Sequence, residues 1–522
     1  MTSSAIISHP MKSIGDLLVD ETLATAFLSS MSVYSDQLHG RRLWLACSGG
    51  RDSLALAALC VQLYRQGRLP CLPQLLHVDH GLQSDSQYWA KHVANWAQAQ
   101  QIPCRILQAQ VNGHDEQAAR QARYNVMRAH INKSDVLLLG HHADDQAETV
   151  LMRLIQGAGV NGLSGMQPWR VQTQGAQCNI LWRPWLTIRR ANISAYAKRL
   201  ELPYIDDPTN DSGNNVRSGL RRDIMPILAT YNPNVIDNIA RSAQLLSDAQ
   251  ETVNAQAMQD MQQTESTDLQ LLPAQRVLNI DTLQKLPIYR QRQLLHYWLG
   301  QDEPLPPAKQ LVDDVLTLSQ RDDQDHQTEL FWQGRKASYT IRRYRQQLYR
   351  MSSEWLSWLK LLRTEQVLLL SSLSLSKNNS ADNSFELVTL CRSNDYIWQL
   401  QVKVDGLVRL LENSTDCVAQ QIVLKVAPLD RKQRLKTEMA ARPQAGKKLY
   451  QTLGIPLWLR ESLIVVSITL TKKSEDGSDI QTDIPLLLAS PFESWLLSSE
   501  QTDSDAKSNQ LAEYIKSELS LK

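Results

Sequence analysis

Between residues 41 and 200, short apolar runs of β type alternate with longer stretches whose apolar residues recur at helical spacing. Residues 42–47 (RLWLAC) read as a buried strand, and 52–64 as a helix with an apolar face. The alternation continues with strands at 74–78, 103–109 and 135–140, each followed by a helix, over 86–100, 115–130 and 144–156. Apolar strands separated by helices predict a parallel sheet covered on both faces, a doubly wound α/β domain. After Pro226 the period changes. Residues 234–263 form a long helical stretch, 286–299 (LPIYRQRQLLHYWL) a second, and 329–349 read as strands around Gly334. Turn residues at 230–233 mark a boundary. The Ser/Asn-rich stretch 371–384 reads as a linker or long loop, runs such as 396–404 (YIWQLQVKV) as a small α+β domain, and the tail after Ser498 as frayed and polar. The expected division is an N-terminal extension (1–40), the α/β domain (41–230), a mainly helical domain (231–352) and a C-terminal α+β domain (385–498).

Composition narrows the class. A chain of 522 residues has room for three cores, and 43% hydrophobic with 21% charged residues excludes a wholly disordered chain. No apolar run approaches the roughly 18 residues of a membrane span. Residues 1–18 lack the basic-then-apolar order of a secretory signal. The 7 cysteines are scattered without a C-x-x-C pair, which argues against a disulfide framework, an Fe–S site or a zinc ribbon and fits a reducing cytoplasm. Charge is nearly balanced, 55 Lys+Arg against 54 Asp+Glu, but it is patterned. Residues 335–350 hold six basic and no acidic residues, 425–460 nine basic and two acidic, and 474–505 eight acidic and no basic. The balance excludes a uniformly basic protein, not a nucleic acid lying on selected basic surfaces.

Directly after the first strand stands Ser48-Gly49-Gly50-Arg51-Asp52-Ser53, opening a helix. Such a turn exposes backbone N–H groups to a phosphate at the positive helix end. Glycine lets the anion approach, and Ser48 and Ser53 add hydroxyls. Asp52 beside a phosphate site makes most sense with a bridging divalent cation. The segment is not a Walker loop, and an ordinary Gly-Gly turn with Ser/Asp capping would look alike.

S-G-G-x-D-S is also the fingerprint of the PP-loop ATP pyrophosphatases, which cleave ATP between its α and β phosphates. Further segments agree: 77–82 (HVDHGL), 119–124 (ARQARY), 140–149 (GHHADDQAET), 162–166 (GLSGM), Arg183-Pro184 and 207–210 (DPTN). With 447–449, 454–456 and 458–460 near the C-terminus, the chain resembles the tRNA(Ile)-lysidine synthase family from about residue 41 to about 466. The resemblance implies ATP and Mg²⁺ as cofactors, and as substrates free L-lysine and an isoleucine tRNA with a CAU anticodon. It also implies a two-step reaction: adenylation of the wobble cytidine, then attack of the lysine ε-amine on C2 with loss of AMP. Ser48, Gly49, Gly50, Arg51, Asp52 and Ser53 would bind ATP, with Asp52 on the metal.

In 141–148, Asp145 and Glu148 are three apart and share a helical face. Lysine arrives as an ammonium, so carboxylates must bind it and one must accept a proton. Asp145 and Glu148 suit that work, binding and base catalysis not being separable. Asp144 is expected to cap the helix. His141 and His142, adjacent in an extended segment, point to opposite faces and make a poor metal pair. Arg217 and Arg221, four apart, share a helical face suited to phosphate or carboxylate. The family pattern R-N-x-[IL]-R has Ser218 in place of its Asn, and a solvated basic face is the plain alternative. The turn at 77–82 would frame the nucleotide pocket.

For the tRNA, Arg335, Arg342, Arg343 and Arg345 are interleaved with three tyrosines, and Lys447, Lys448 and Arg460 lie in the second basic stretch. A hairpin with one charged face would read the same, and Trp458 and Ile455 read as core. A PP-loop enzyme of tRNA thiolation is the competing function, for which catalytic or cluster-binding cysteines would be expected. A non-catalytic tRNA binder would have no use for the intact loop with Asp145 and Glu148.

Overall fold

The computed structural model describes residues 14–15, 17–79, 81, 86–111, 116–174, 177–205, 216–266, 273–321, 327–361, 365–369, 386–392, 396–403, 421–473, 479–498 and 514–521. The chain forms two compact units, 1–256 and 257–522, with the helix Val235–Thr264 running across the boundary. The linker expected at 371–384 lies outside the described residues.

In the first unit the strands are β1 (Leu43–Ala46), β2 (Gln74–Asp79), β3 (Cys104–Gln108), β4 (Val136–Leu138), β5 (Trp169–Gln174) and β6 (Gln177–Trp182), in the order β3-β2-β1-β4-β6-β5. All pair in parallel except β5, which turns back on β6 as an antiparallel edge. Leu43, Trp44 and Leu45 of β1 are all buried, as a strand covered on both faces requires. The expected helices are present as Arg51–Arg65, Ser86–Ala99, Glu116–His130 and Ala143–Ile155. The order reverses between β1 and β4, so the loops leaving these two strands flank the crevice where open α/β sheets bind ligands.

Two features differ from the sequence reading. Helix Arg51–Arg65 is interior on every side: each residue from Ser53 to Leu63 is buried. Its third and fourth sides are covered by Glu21–Val33 and Arg190–Arg199, whose Leu23, Phe27, Ile193 and Tyr196 join the same core. The stretch set apart as an extension therefore supplies core. Asp20 caps its helix through Thr22 and Leu23 N–H (3.1 and 3.2 Å), and Trp182 Nε1 donates to Ser30 Oγ at 2.8 Å.

In the second unit, β7 (Gln275–Asn279), β8 (Glu329–Gln333), β9 (Ser338–Tyr344) and β10 (Gln347–Ser352) form an antiparallel sheet in the order β7-β10-β9-β8. Helices Ile288–Gly300 and Lys309–Ser319 pack on it around Leu295, Trp298 and Val315. Beyond it, six strands and three strands make two further antiparallel sheets. The tail is not frayed at its end: Ile515–Leu521 pairs along the whole of Tyr396–Val402, with Ile515 buried. Ile515, Ser517 and Leu519 alternate at strand spacing, but the partner lies over a hundred residues earlier and leaves no local trace.

Candidate active site

The loop after β1 turns through Gly49, whose φ of +86° suits glycine, and whose place a Cβ would bring to 3.0 Å from Val93 Cγ2. Ser48 Oγ accepts from Gly50 N–H (3.3 Å) and lies 3.2 Å from Ser53 Oγ, which donates to Gly50 O at 3.0 Å. Gly49 O takes the Ile205 N–H at 2.9 Å, tying the loop to the 202–205 segment. Arg51 donates to Ser194 Oγ (3.0 Å) and lies 4.8 Å over the Tyr204 ring. After β4, Gly140 passes so near the first turn of Arg51–Arg65 that a Cβ there would lie 3.1 Å from Asp52 O and 3.3 Å from Ser53 N. The two loops meet because position 140 carries no side chain.

His142, 1% exposed, links them. Its Nδ1 accepts the Asp145 N–H at 3.3 Å while Asp145 Oδ2 accepts the His142 N–H at 3.2 Å, a reciprocal cap on Ala143–Ile155. Asp144 was expected to be that cap. It lies inside the helix instead, and its Oδ2 accepts the Arg190 N–H at 2.8 Å, closing the start of Arg190–Arg199. Using the Nδ1 lone pair leaves the ring proton on Nε2, 3.5 Å from Asp52 Oδ2 and 3.4 Å from Asp145 Oδ2. Burial opposes charge on the ring, but Asp52, Asp145 and Asp144 outweigh it and raise its pKa. Burial likewise pushes the Asp52 carboxyl up, and His142, Arg190 and Arg51 outweigh that and hold it below its ordinary value. Asp52 Oδ1 is buried without a hydrogen-bond partner among the described residues. His141 turns elsewhere, its Nδ1 accepting from Arg183 Nε at 3.2 Å. Burial, with the charges of Arg183, Arg120 and Arg217, holds His141 neutral.

Asp145, Glu148, Arg217 and Arg221, far apart in sequence, form one cluster. Glu148 is 2% exposed: its Oε1 accepts from Arg221 Nε at 2.6 Å, its Oε2 from Arg217 Nε at 2.8 Å and Arg221 Nη2 at 3.0 Å. Arg217 Nη2 also reaches Asp145 Oδ1 at 3.0 Å. The arginines lie on a helix that widens into a π turn over Leu220–Ile224, where Pro226 has no N–H to return to residue 222. Ser218 is buried on that helix. His142 thus joins Asp52 of the 48–53 loop to this cluster. Sequence reading gave His142 no role, since a capping histidine carries no local signature.

The basic residues of the second unit divide. Arg335, Lys447 and Lys448 are exposed. Arg342 pairs with Glu329 and lies 5.4 Å over the Trp458 ring. Arg343 donates to Arg345 O at 3.2 Å, Arg345 to Gln451 O at 2.9 Å, and Arg460 to Ile455 O at 3.4 Å. Tyr339 and Tyr349 are buried, so they are core and not platforms for bases, and Trp458 and Ile455 are core as expected.

A glycine turn leading from a parallel strand into a helix at the switch point of the sheet is the arrangement of ATP-using PP-loop enzymes. A family model for the PP-loop domain matches residues 23–228, and one for the TilS substrate binding domain matches 278–349. The chain is 39% identical over 510 residues to the tRNA(Ile)-lysidine synthase of Psychrobacter sp. (strain PRwf-1), covering 92% of this chain and 95% of that one. It is 38% identical to the Pseudomonas aeruginosa enzyme of that name (51% of this chain, 60% of that one). It is 34% identical to the one from Acinetobacter baylyi (57% and 61%). The chain belongs to the tRNA(Ile)-lysidine synthase family.

Proposed function

We propose that the protein joins free L-lysine to C2 of the wobble cytidine, position 34, of the CAU-anticodon isoleucine tRNA, through an adenylated cytidine. The product, lysidine, changes codon reading from AUG to AUA. The observation that carries this is the meeting, at the carboxyl ends of β1 and β4, of the 48–53 loop with the half-buried cluster of two carboxylates and two guanidiniums. In the first step the cytidine O2 attacks the α-phosphorus and pyrophosphate leaves. The loop N–H groups and the Ser48 and Ser53 hydroxyls hold the phosphates, and Arg217 and Arg221 offer fixed donors to charge growing in the transition state. In the second step the lysine amine attacks C2, AMP leaves, and a carboxylate takes the proton. Asp145, 14% exposed, is the better placed to meet an ammonium than Glu148, whose oxygens hold the two guanidiniums.

A Mg²⁺ ion fits Asp52, whose Oδ1 is buried and unpartnered. Bound there, it would neutralise phosphate charge, needing few protein ligands because phosphate oxygens and water complete its shell. Within this reading, residues 41–230 with the 21–33 helix are catalytic, and 231–352 and 385–498 hold the tRNA through Arg335, Arg342, Arg343, Arg345, Lys447, Lys448 and Arg460. Incubation of the full chain with ATP, Mg²⁺, lysine and this tRNA is expected to yield lysidine on nucleoside mass analysis, with AMP and pyrophosphate. Unmodified cytidine at position 34, with active ATP and Mg²⁺ present, sinks the proposal.

A further inference from the structure

One group of side chains near the site is absorbed by none of these roles. Arg120 and Arg128 lie over the Tyr124 ring at 5.2 and 5.9 Å. Arg183 donates to His141 Nδ1 at 3.2 Å and to Gln167 O at 2.8 Å. Arg153 donates to Gly162 O and Gly165 O, each at 2.8 Å. Arg170, on the edge strand β5, stands opposite Leu181 of β6, two residues before Arg183, and its charge lowers the pKa of Arg128, Arg153 and Arg183, in each case after burial as the larger cause. Arg183 is pushed down to about 10. Among the described residues, Arg120, Arg153, Arg170 and Arg183 have no carboxylate within ion-pair distance. Arg120 and Arg170 are exposed, and neither guanidinium has a hydrogen-bond partner among the described residues.

With no carboxylate beside four of them among the described residues, these gathered like charges favour a polyanion. Arg153 and Arg183 are fixed by backbone carbonyls, which leaves a rigid base with the exposed guanidiniums of Arg120 and Arg170 at its rim. The group spans two helices and the β5–β6 edge of the sheet, more than one triphosphate needs, and ATP already has the loop after β1. It adjoins the active site through His141, next in sequence to the His142 that touches Asp52 and Asp145. We infer that Arg120, Arg128, Arg153, Arg170 and Arg183 form a phosphate track that seats the backbone of the RNA loop carrying the target base. This rests on the function proposed above.

The test is the double variant Arg120→Ala/Arg170→Ala in the full chain, with tRNA affinity measured across a KCl series beside thermal stability and the KM for ATP. Loss of two phosphate contacts should reduce the slope of log K against log salt by about 1.5. Affinity near physiological salt should fall on the order of tenfold, with the ATP KM unchanged and the melting temperature unchanged or higher. Arg120→Lys/Arg170→Lys should keep most of the slope. An unchanged slope overturns the track, as does a raised ATP KM with RNA binding intact, or a lost affinity matched by a lowered melting temperature. Lysidine formation by the unaltered chain is scored separately. If that product is absent while the slope still falls, the track stands and the function proposed above fails.

Discussion

Replacing Glu148 with glutamine separates a residue that holds arginines from one that binds lysine. The side chain is 2% exposed and accepts three guanidinium hydrogen bonds of 2.6, 2.8 and 3.0 Å. Glutamine keeps the shape, but its amide nitrogen can only donate, so one side meets an N–H of Arg217 or Arg221 with another N–H. Charge-assisted hydrogen bonds contribute about 1.5–3 kcal/mol each, and breaking a buried pair costs about 3–5 kcal/mol. The arginines are 29% and 26% exposed and can turn toward water, so the lower end applies, about 3 kcal/mol. For a unit of this size that corresponds to a fall of roughly 6–12 °C in melting temperature. Calorimetry of the full chain reads the first-unit transition, and pyrophosphate release reads the adenylation step. Adenylation and lysine transfer should both fall, because both arginines lose their anchor. A melting temperature within about 2 °C of the parent, with only the lysine KM raised, would refute this and make Glu148 a lysine ligand.

Gly140→Ala places a Cβ 3.1 Å from Asp52 O, so the loop must shift by a few tenths of an ångström; ATP affinity should fall several-fold with circular dichroism unchanged, and unaltered ATP binding would refute the close-packing argument. Asp52→Asn should abolish adenylation and leave tRNA affinity nearly intact; equal loss of both would make Asp52 structural. His141 is held neutral well below its ordinary pKa, so the unfolded chain binds the extra proton as pH falls below about 6.5, and stability present above that value is lost toward the lower folded pKa. His141→Asn should therefore lose less melting temperature from pH 7 to pH 5 than the wild type, while His142, whose raised pKa acts in the opposite direction, is present in both; an equal change in the two proteins refutes the assignment.

Much of the first unit was legible because each of its early strands and helices carries its own period. The strands at 74–78 and 103–109 and the helix at 144–156 fall within a residue or so of Gln74–Asp79, Cys104–Gln108 and Ala143–Ile155. What escaped is set by distant partners. Glu21–Val33 buries only Leu23, Ala24 and Phe27, too narrow a stripe to stand out among its serines and threonines. The hairpin of β5 and β6 was not read at all, and Ile515–Leu521 finds its strand only in three dimensions. In the site, residue types were readable and wiring was not. A helix start rich in Asp suggested Asp144 as the cap, whereas the cap falls two residues earlier, on His142.

The enclosure of residues 53–63 within Arg51–Arg65 has a consequence for how the chain reaches this state. An apolar helix with no solvent side cannot rest half-docked: its cover comes from elements as far apart as Leu23 and Leu202. Until the 190–202 segment has been made and has closed over it, the helix that follows the 48–50 turn is bare hydrophobic surface, the kind that recruits chaperones or self-associates. Lesions on the buried side of Arg190–Arg199, at Ile193 or Tyr196, are then expected to act on yield of soluble protein before they act on chemistry.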